Sequence, residues 1–431
     1  MTLTRFMDPD RSEWKNLILR PFPESADLAE RVSQILSVVA ENGDEALRNF
    51  TRKFDGVEID QFRVTEGEIR YAISHIPSDL KAAIQVAKRN ITQFHQTQLQ
   101  DEGIVETMPG VTCWRRSVPI QAVGLYVPGG SAPLFSTVLM LSIPAGIAGC
   151  DTKLLCSPPG KEGRLHPAII YAATECGVKN IYKIGGAQAI AAMAFGTQSI
   201  PRVDKIFGPG NSYVTEAKQQ VLRHGVAIDM PAGPSEVLVY ADHSANAAFI
   251  AADLLSQAEH GPDSQVILVT TEAGLIDQVE SSLGDQLEEL PRKDMAIQAL
   301  ENSKSLLFKT VDDCIDFINL YAPEHLILAS DDAHDFIPKI LNAGSVFLGH
   351  HTPESVGDYA SGTNHTLPTN GWARSYSGIS VDSFVRKITF QELTKEGLTQ
   401  IGPTVEVMAQ AESLEAHRRA VSIRLKNLKG S

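Results

Sequence analysis

The first hundred residues carry a helical pattern of hydrophobic and polar positions. Apolar side chains in residues 27–54 recur about every 3.6 positions, and the pattern stops at Gly56. Thr65 and Glu68 have the spacing of a capping box, and residues 78–99 carry a third amphipathic pattern. The pattern therefore predicts an N-terminal helical segment, 1–110, that packs on the rest of the protein.

Beyond residue 110, short apolar runs alternate with helical patterns. A strand-like segment at 111–126 ends in the turn 128–130, and further strands are predicted at 153–156, 180–184, 203–207 and 226–230. Helical patterns at 165–176, 188–195 and 212–223 separate these strands. Strand, glycine turn and helix in repetition are typical of a parallel sheet with crossover helices. Residues 111–235 are therefore predicted to form a first α/β unit.

A second series of the same kind begins at Glu236. Its predicted strands are 236–240, 265–270, 305–308, 325–329 and 344–348, and its predicted helices are 245–258, 273–287 and 310–320. A polar stretch follows at 350–372, and a long loop of this kind is usually functional. The predicted fold class is α/β, with two Rossmann-like parallel-sheet units, incomplete and atypical, at 111–235 and 236–380. Residues 381–431 are predicted to form a small helical C-terminal tail module.

Composition and charge narrow the class of protein. The 431 residues include 38 Lys+Arg and 52 Asp+Glu, a net charge of −14 that argues against nucleic acid or an anionic membrane as partner. The longest apolar stretch, 135–150, is too short for a membrane span and contains Ser142 and Pro144. The five cysteines include no CxxC pair, which argues against a thiolate zinc site or a disulfide framework. With no apolar signal core at the N-terminus, we expect a cytoplasmic protein.

Three glycine-rich turns follow strands of the first α/β unit, at 124–130, 185–188 and 208–211. Glycines at strand ends let backbone N–H groups approach a ligand, and a following helix N-terminus favours phosphate. Turns of α/β folds also need glycine for their own geometry, and no complete GxGxxG motif is present: in the nearest match, 208–213, Tyr213 replaces the third glycine. The turns indicate a dinucleotide site that lacks the usual fingerprint.

Several segments carry candidate catalytic or metal-binding side chains. Gln257 and His260 share one face at a predicted helix end, and both side chains can act as zinc ligands. Considered without the other segments, these two residues are explained more simply as caps of that helix end. Glu324 and His325 at the mouth of a strand form a possible general acid/base pair. Because neighbouring strand side chains point to opposite faces, they act together only if the turn presents them together. An equally good interpretation is that Glu324 is a surface residue and that His325 lies at the end of the strand without a catalytic role.

Two further segments add carboxylates and histidines. The loop 357–365 supplies Asp358 and His365, and the tail supplies Glu412 and His417 on what is predicted to be one helix. The presence of Glu412 and His417 is also explained if they simply belong to a charged, solvent-facing side of that helix. No HExxH motif is present, so a metal site would need ligands from separate segments.

Taken together, these segments resemble histidinol dehydrogenase. The resemblance covers essentially the whole chain, and its motifs occur in the order expected for that family. The matching runs are GLYVPGGSAP at 124–133, IFGPGN at 206–211, DMPAGPSE at 229–236, LSQAEHGPD at 255–263, PEH at 323–325 and GDYASGTNH at 357–365.

The resemblance implies a zinc-dependent oxidation of L-histidinol to L-histidine through L-histidinaldehyde, with two NAD⁺ and one Zn²⁺ per subunit. It also implies a homodimer in which the C-terminal tail of one subunit completes the active site of the other. Glu324 and His325 correspond to the acid/base pair. The zinc ligands correspond to Gln257, His260, Asp358 and His417, the substrate contacts to Ser235, Gln257, His260, His325, Asp358, Glu412 and His417, and the cofactor contacts to Tyr126, Gln188 and Asn211.

This reaction is chemically consistent with the residues. Removal of four electrons takes two hydrides, and one carboxylate with three neutral ligands leaves a zinc site near +1 that positions the substrate. The alternatives are a zinc/NAD-dependent dehydrogenase of another amino or sulfonated alcohol, a zinc hydrolase, and a catalytically silent nucleotide-binding protein. A hydrolase needs an open zinc position but no cofactor turns, so the three turns favour a dehydrogenase.

Overall fold

Strands and helices alternate through most of the chain. The computed structural model describes residues 3–21, 26–99, 102–129, 132–231 and 233–429, so Gly130 of the predicted turn 128–130 lies outside the described residues. In the described ranges, the strands in chain order are β1 (Thr4–Met7), β2 (Val105–Met108), β3 (Val111–Pro119), β4 (Ala122–Tyr126), β5 (Thr152–Ser157), β6 (Asn180–Lys183), β7 (Lys205–Phe207), β8 (Ala227–Ile228), β9 (Glu236–Ala241), β10 (Gln265–Thr270), β11 (Lys304–Leu307), β12 (His325–Ala329), β13 (Ser345–Leu348) and β14 (Val385–Leu393).

The helices cover the stretches between these strands. They are α1 (Trp14–Leu17), α2 (Ala26–Asn42), α3 (Asp44–Phe50), α4 (Glu66–His75), α5 (Ser78–Gln96), α6 (Phe135–Ala148), α7 (Pro167–Glu175), α8 (Gly186–Phe195), α9 (Ser212–Val221), α10 (Ala247–Ala258), α11 (Ala273–Leu287), α12 (Lys293–Glu301), α13 (Val311–Tyr321), α14 (Ala333–Phe336), α15 (Glu354–Tyr359), α16 (Lys395–Ala411) and α17 (Glu415–Lys429). A π-helical turn, Thr51–Asp55, follows α3. Of the helices described, none is both long and apolar enough to cross a membrane.

These elements form two compact units. The larger contains the chain up to Gln98 together with Ile120–Phe384, and the smaller contains Leu99–Pro119 together with the chain from Val385 onwards. These bounds differ from those of the four predicted sections because 99–119 associates with the C-terminal part of the chain. Local sequence patterns do not reveal an association between such distant segments.

The larger unit contains a six-stranded parallel sheet of order β1-β11-β10-β9-β12-β13. Every residue of β9, β10 and β12 is buried, as expected for parallel strands covered on both faces. The predicted second α/β unit is confirmed in its strands. The wholly helical N-terminal segment 1–110 is wrong at two points, because β1 pairs with β11 at the sheet edge and β2 pairs with β3. Four residues at an edge are too few to carry a recognisable strand pattern.

A five-stranded parallel sheet of order β6-β5-β4-β7-β8 also lies in the larger unit. The apolar stretch 135–150 forms α6, which is buried around most of its circumference, as expected for a helix that is hydrophobic on all sides. The predicted helices of this series correspond to α7, α8 and α9. The strands predicted at 153–156, 180–184, 203–207 and 226–230 and the three helices between them are therefore confirmed.

The smaller unit contains a three-stranded antiparallel sheet of order β14-β3-β2 and the helices α16 and α17. Trp114 and Phe390 face each other across β3 and β14 with ring centroids 5.5 Å apart. The tail was predicted to be helical throughout, which is wrong for β14. The single strand predicted at 111–126 is also wrong, because β3 and β4 belong to different units.

The helix predicted over residues 27–54 is interrupted after Asn42. Gly43 has φ = 55°, a left-handed conformation that glycine adopts without steric cost, and α3 begins directly after it. In contrast, the predicted capping box is confirmed. The Thr65 hydroxyl oxygen accepts the Glu68 N–H at 3.2 Å, and the Glu68 carboxylate accepts the Thr65 N–H at 2.8 Å.

A buried ion pair attaches the N-terminal segment to the six-stranded sheet. The side chains of Arg20 and Glu236 are only 7% and 2% exposed, and their two hydrogen bonds measure 3.1 and 2.9 Å. The guanidinium also donates to the Tyr321 carbonyl at 2.7 Å and stacks on that ring at 3.6 Å. Removing one partner of such a pair leaves the other charge buried without a counter-ion. This lowers the free energy of unfolding far more than the loss of an exposed ion pair does.

We predict that Arg20→Met lowers the free energy of unfolding by about 3 kcal/mol, because it leaves the Glu236 carboxylate buried without its cation. Urea denaturation followed by circular dichroism measures the change. Arg11→Met is the matched control, since Arg11 is 63% exposed and pairs with Asp313 and Asp316 at the surface. The control is expected to cost less than about 1 kcal/mol. Equal effects of the two variants would contradict the role assigned to Arg20.

Candidate active site

The predicted acid/base pair lies at the amino end of β12, beside the first residue of β9. Glu324 and His325 are 6% and 3% exposed. The Glu324 carboxylate accepts the backbone N–H of Glu236 at 2.8 Å, and His325 Nδ1 lies 3.2 Å from the Glu236 carbonyl oxygen. His325 Nδ1 and the Glu324 carboxylate are 3.6 Å apart. The turn before β12 therefore presents both side chains together, and the alternative of a surface glutamate is excluded.

Burial and charge give this pair unusual proton affinities. Burial raises the pKa of Glu324, and the neighbouring imidazole offsets this only in part. Burial alone would lower the pKa of His325, but the carboxylates of Glu324 and Glu354 outweigh it and raise the pKa well above its usual range. Each group of the pair therefore has a higher proton affinity than it has in water, as a group that takes up a proton requires.

A cluster of possible metal ligands lies next to His325. His260, Glu354 and Asp358 each offer a ligand atom, and these atoms lie within 4.8 Å of one another. His260 follows the end of α10, while Glu354 and Asp358 lie one turn apart on α15. Gln257, in the last turn of α10, has its amide nitrogen 3.2 Å from His325 Nδ1. His325 Nε2 is 3.5 Å from Asp358 Oδ1, so acid/base pair and cluster form one site.

The donor atoms of this cluster fit a divalent cation. Gln257 Oε1, Glu354 Oε2 and Asp358 Oδ1 are all buried without a hydrogen-bond partner in the described structure. Buried oxygens without partners cost free energy, and native proteins contain few of them. Three oxygens and the imidazole of His260 form an N/O donor set that suits Zn²⁺ without cysteine. Capping of the α10 end does not explain why donor atoms from α10 and α15 lie together in this cluster.

The loop after α15 is held in place by a histidine. His365 Nδ1 lies 2.8 Å from the backbone carbonyl of Asp358, and Nε2 lies 3.2 Å from the Thr137 hydroxyl on α6. Burial lowers the pKa of His365, which favours the neutral ring. His365 therefore positions the loop that carries Asp358.

The sequence analysis missed Glu354 and the role of Glu236. Glu354 is buried in the cluster, and burial raises its pKa to about 8. The available signal was its position four residues before Asp358, which puts both on one helix face. Glu236 was seen only as the start of a strand, although its backbone contacts both Glu324 and His325.

The remaining predicted substrate contacts lie in two places. Ser235 is half-buried and directly precedes Glu236, at the same strand end as the acid/base pair. Glu412 and His417 belong to the smaller unit and are exposed there. Their placement on one helix is wrong, because α16 ends at Ala411 and α17 starts at Glu415, with Ser413 at φ = 59° between them. Their assignment to the site stays a prediction.

The three glycine turns of the first α/β unit converge on one cavity. Tyr126, Gln188 and Asn211 all line it, and its volume is about 1630 Å³. The Gly186 N–H at the start of α8 donates to the Tyr126 hydroxyl at 3.0 Å, and Asn211 caps α9. The cavity exceeds the roughly 300–1,000 Å³ of most small-molecule sites and has two helix N-termini at its wall. It therefore has the size and the backbone donors that a dinucleotide needs.

The turn at Gly208 has a backbone that only glycine fits. Its φ is 125°, and a Cβ would collide with the Tyr126 carbonyl oxygen. Lys218 donates to the Gly208 carbonyl at 2.8 Å, and Asp229 accepts the Gly208 N–H at 2.8 Å. Lys218 and Asp229 are buried and pair with each other at 2.5 Å. The turn therefore holds the backbone of Tyr126 and Asn211 in a fixed arrangement beside the cavity.

Comparison with known proteins decides the family. The sequence profile described as Histidinol dehydrogenase matches residues 19–425. A histidinol dehydrogenase of Bacteroides fragilis is 55% identical over 421 residues, which is 98% of this chain and 98% of that protein. The chain belongs to the histidinol dehydrogenase family. A histidinol dehydrogenase of Photobacterium profundum is 53% identical over 97% of this chain and 94% of that protein.

A solved structure supports the same conclusion. The crystal structure of histidinol dehydrogenase from Elizabethkingia anophelis has a TM-score of 0.97 and 55% sequence identity, and the match covers 99% of each chain. As a histidinol dehydrogenase, the chain is an NAD-dependent oxidoreductase of histidine biosynthesis. The predicted α/β fold and the predicted activity are confirmed, whereas the zinc hydrolase and the silent nucleotide-binding protein are excluded.

Proposed function

We propose that the enzyme carries out both oxidations of L-histidinol, through L-histidinaldehyde to L-histidine, at the site formed by the Glu324/His325 pair and the ligand cluster. Two NAD⁺ are used in succession in the cavity lined by Tyr126, Gln188 and Asn211. The observation that carries this proposal is the contact between the acid/base pair and the cluster, with His325 Nε2 at 3.5 Å from Asp358 Oδ1. Proton transfer and substrate anchoring then occur within one site.

We assign the zinc ligands Gln257, His260 and Asp358 within one subunit. The buried, unpartnered oxygens of Gln257 and Asp358 support this assignment. Bound zinc supplies a positive anchor for the imidazole and amine nitrogens of the substrate. Gln257, His260, Asp358 and the half-buried Ser235 then hold histidinol with its alcohol carbon near His325.

His325 acts in the first oxidation. In the neutral ring that carries its proton on Nδ1, the nitrogen beside the Glu236 carbonyl, Nε2 is the basic nitrogen and faces the cluster. Nε2 takes the alcohol proton as the hydride leaves for NAD⁺, so the products are the aldehyde, NADH and an imidazolium. The carboxylates around His325 stabilise that cation, in agreement with its raised pKa.

Glu324 acts in the second oxidation. Its carboxylate is held by the Glu236 N–H at 2.8 Å and takes a proton from water as the oxygen adds to the aldehyde carbon. The resulting anion of the aldehyde hydrate gives its hydride to the second NAD⁺ and becomes the carboxylic acid, while the proton from water stays on Glu324. The raised pKa of Glu324 supports this role, because a more basic carboxylate removes a proton from water more readily.

We further propose a homodimer in which Glu412 and His417 of one subunit complete the zinc and substrate site of the other. Both residues are exposed, and the same smaller unit exposes Val407, Met408 and Ile423. Exposed apolar side chains on two neighbouring helices are typical of an interaction surface. We also place the enzyme in the cytoplasm, which the five free cysteines support.

Glu324→Gln is expected to separate the two oxidations. Loss of the base should slow oxidation of added L-histidinaldehyde by about 10²- to 10⁴-fold, while oxidation of histidinol to the aldehyde falls only a few-fold. Stopped-flow absorbance of NADH with each substrate measures the two rates. Glu301→Gln, an exposed glutamate at the end of α12, is the control and should leave both rates unchanged. Equal losses in the two oxidations would refute the assignment.

Mixed dimers test the shared site. His260→Asn and His417→Asn homodimers should each lack zinc and activity, because every site has lost a ligand. Co-expression of the two variants should restore about a quarter of wild-type activity and zinc, since half of the dimers are mixed and carry one intact site of two. Zinc is measured by plasma mass spectrometry on the doubly tagged heterodimer. Mixed dimers without zinc or activity would show that each subunit completes its own site.

A further inference from the structure

One wall of the cofactor cavity is formed by residues with no role in the proposal so far. Phe50 ends α3, and Phe54 and Asp55 lie in the π-helical turn Thr51–Asp55; all three line the cavity. Single π-helical turns are rare and occur frequently at functional sites. Here the turn brings an aromatic ring and a carboxylate to the cavity at adjacent positions.

The Asp55 carboxylate lacks a partner where one is expected. Its Oδ2 is buried and has no hydrogen-bond partner in the described structure. Burial raises the pKa of Asp55 to about 6, so the group is still mostly ionised at neutral pH. An ionised buried oxygen needs a hydrogen-bond donor. A ligand that brings N–H or O–H groups to this wall would satisfy the Asp55 carboxylate, whereas a phosphate brings none.

The neighbouring phenylalanines offer a flat surface. The rings of Phe50 and Phe54 are stacked, with centroids 5.6 Å apart and an interplanar angle of 2°, and Phe54 is 50% exposed. Any planar nucleobase can stack on such a ring, because stacking does not depend on the hydrogen-bonding groups at the edge of the base. An adenine against Phe54 puts its ribose hydroxyls next to the following residue, Asp55.

Another part of the cavity lining continues along the chain to the proposed catalytic groups. Ala132 and Pro133 line the cavity just before α6. On α6, the Thr137 hydroxyl contacts His365 at 3.2 Å, and His365 contacts the Asp358 carbonyl at 2.8 Å. The reacting nicotinamide belongs near this part of the lining, which leaves the π-helical wall for the adenosine.

We propose that Asp55 accepts hydrogen bonds from the hydroxyls of the adenosine ribose of NAD⁺, with Phe54 against the adenine, and thereby excludes cofactors with a 2′-phosphate. The inference rests on the proposed cofactor cavity. A 2′-phosphate would replace a donor with a dianion beside the carboxylate, which is repulsive. The cavity lining also carries the four cations Arg31, Lys53, Lys161 and Arg164 and the two further carboxylates Glu68 and Glu162. Without the Asp55 charge, the cations therefore outnumber the carboxylates by two, which favours an anion. Asp55 is thus the residue that determines cofactor specificity.

The isosteric variant Asp55→Asn tests this proposal. We expect kcat/KM for NAD⁺ to fall by about 10- to 100-fold, as for loss of a hydrogen bond to a charged group, and kcat/KM for NADP⁺ to stay or rise. Asp60→Asn, an exposed aspartate five residues away, is the matched control and should keep the wild-type preference. A near-normal kcat at saturating NAD⁺ shows that the variant is folded.

Titration calorimetry with ADP-ribose and with 2′-phospho-ADP-ribose measures binding of the adenosine part of the cofactor without any oxidation of substrate. It therefore tests the role of Asp55 independently of the proposed reaction. Wild type should bind ADP-ribose more tightly, and Asp55→Asn should narrow or reverse the preference. An unchanged preference in Asp55→Asn, or equal weakening of both ligands, would overturn the role of Asp55. Failure of the wild-type enzyme to form NADH from histidinol would instead contradict the proposed function.

Discussion

The geometry of the candidate catalytic site depends on one residue of the six-stranded sheet. The backbone N–H of Glu236 donates to Glu324, its carbonyl contacts His325, and its carboxylate is held by Arg20 and by the Asn370 N–H. Glu236 begins β9, which lies between β10 and β12 and is buried throughout. The acid/base pair therefore has the rigidity of the sheet and not that of a loop, which keeps both groups in the geometry that proton transfer needs.

The cluster of possible metal ligands shows the opposite physical situation. Each polar group of Glu236 has a partner, whereas Gln257, Glu354 and Asp358 each have a buried oxygen without a hydrogen-bond partner among the described residues. Such groups cost stability unless a ligand satisfies them, and they concentrate where function requires them. The cofactor cavity repeats this feature at Asp55. A rigid, fully paired frame beside groups without hydrogen-bond partners is the arrangement expected of a site that takes up ligands from solution, in agreement with the proposed function.

Local patterns in the sequence predicted the parallel strands well, because buried strands and glycine turns leave local signals. The same patterns could not reveal β14, whose partner β3 lies far away in the chain, or β1 at a sheet edge. For the candidate site, the sequence already showed the three-residue spacing between Gln257 and His260. It also showed that Glu324 and His325 are adjacent. Glu236, Glu354 and Asp55 were not, because their roles come from what surrounds them after folding.

The central claim is that one site carries out both oxidations while it retains the aldehyde. The most direct test is the number of NADH molecules formed per L-histidinol by the zinc-loaded enzyme, with excess NAD⁺ and an aldehyde-trapping amine present. The account predicts two NADH per histidinol, unchanged by the trapping agent, because the aldehyde stays bound between the steps. One NADH per histidinol, with the aldehyde recovered as its adduct, would contradict it.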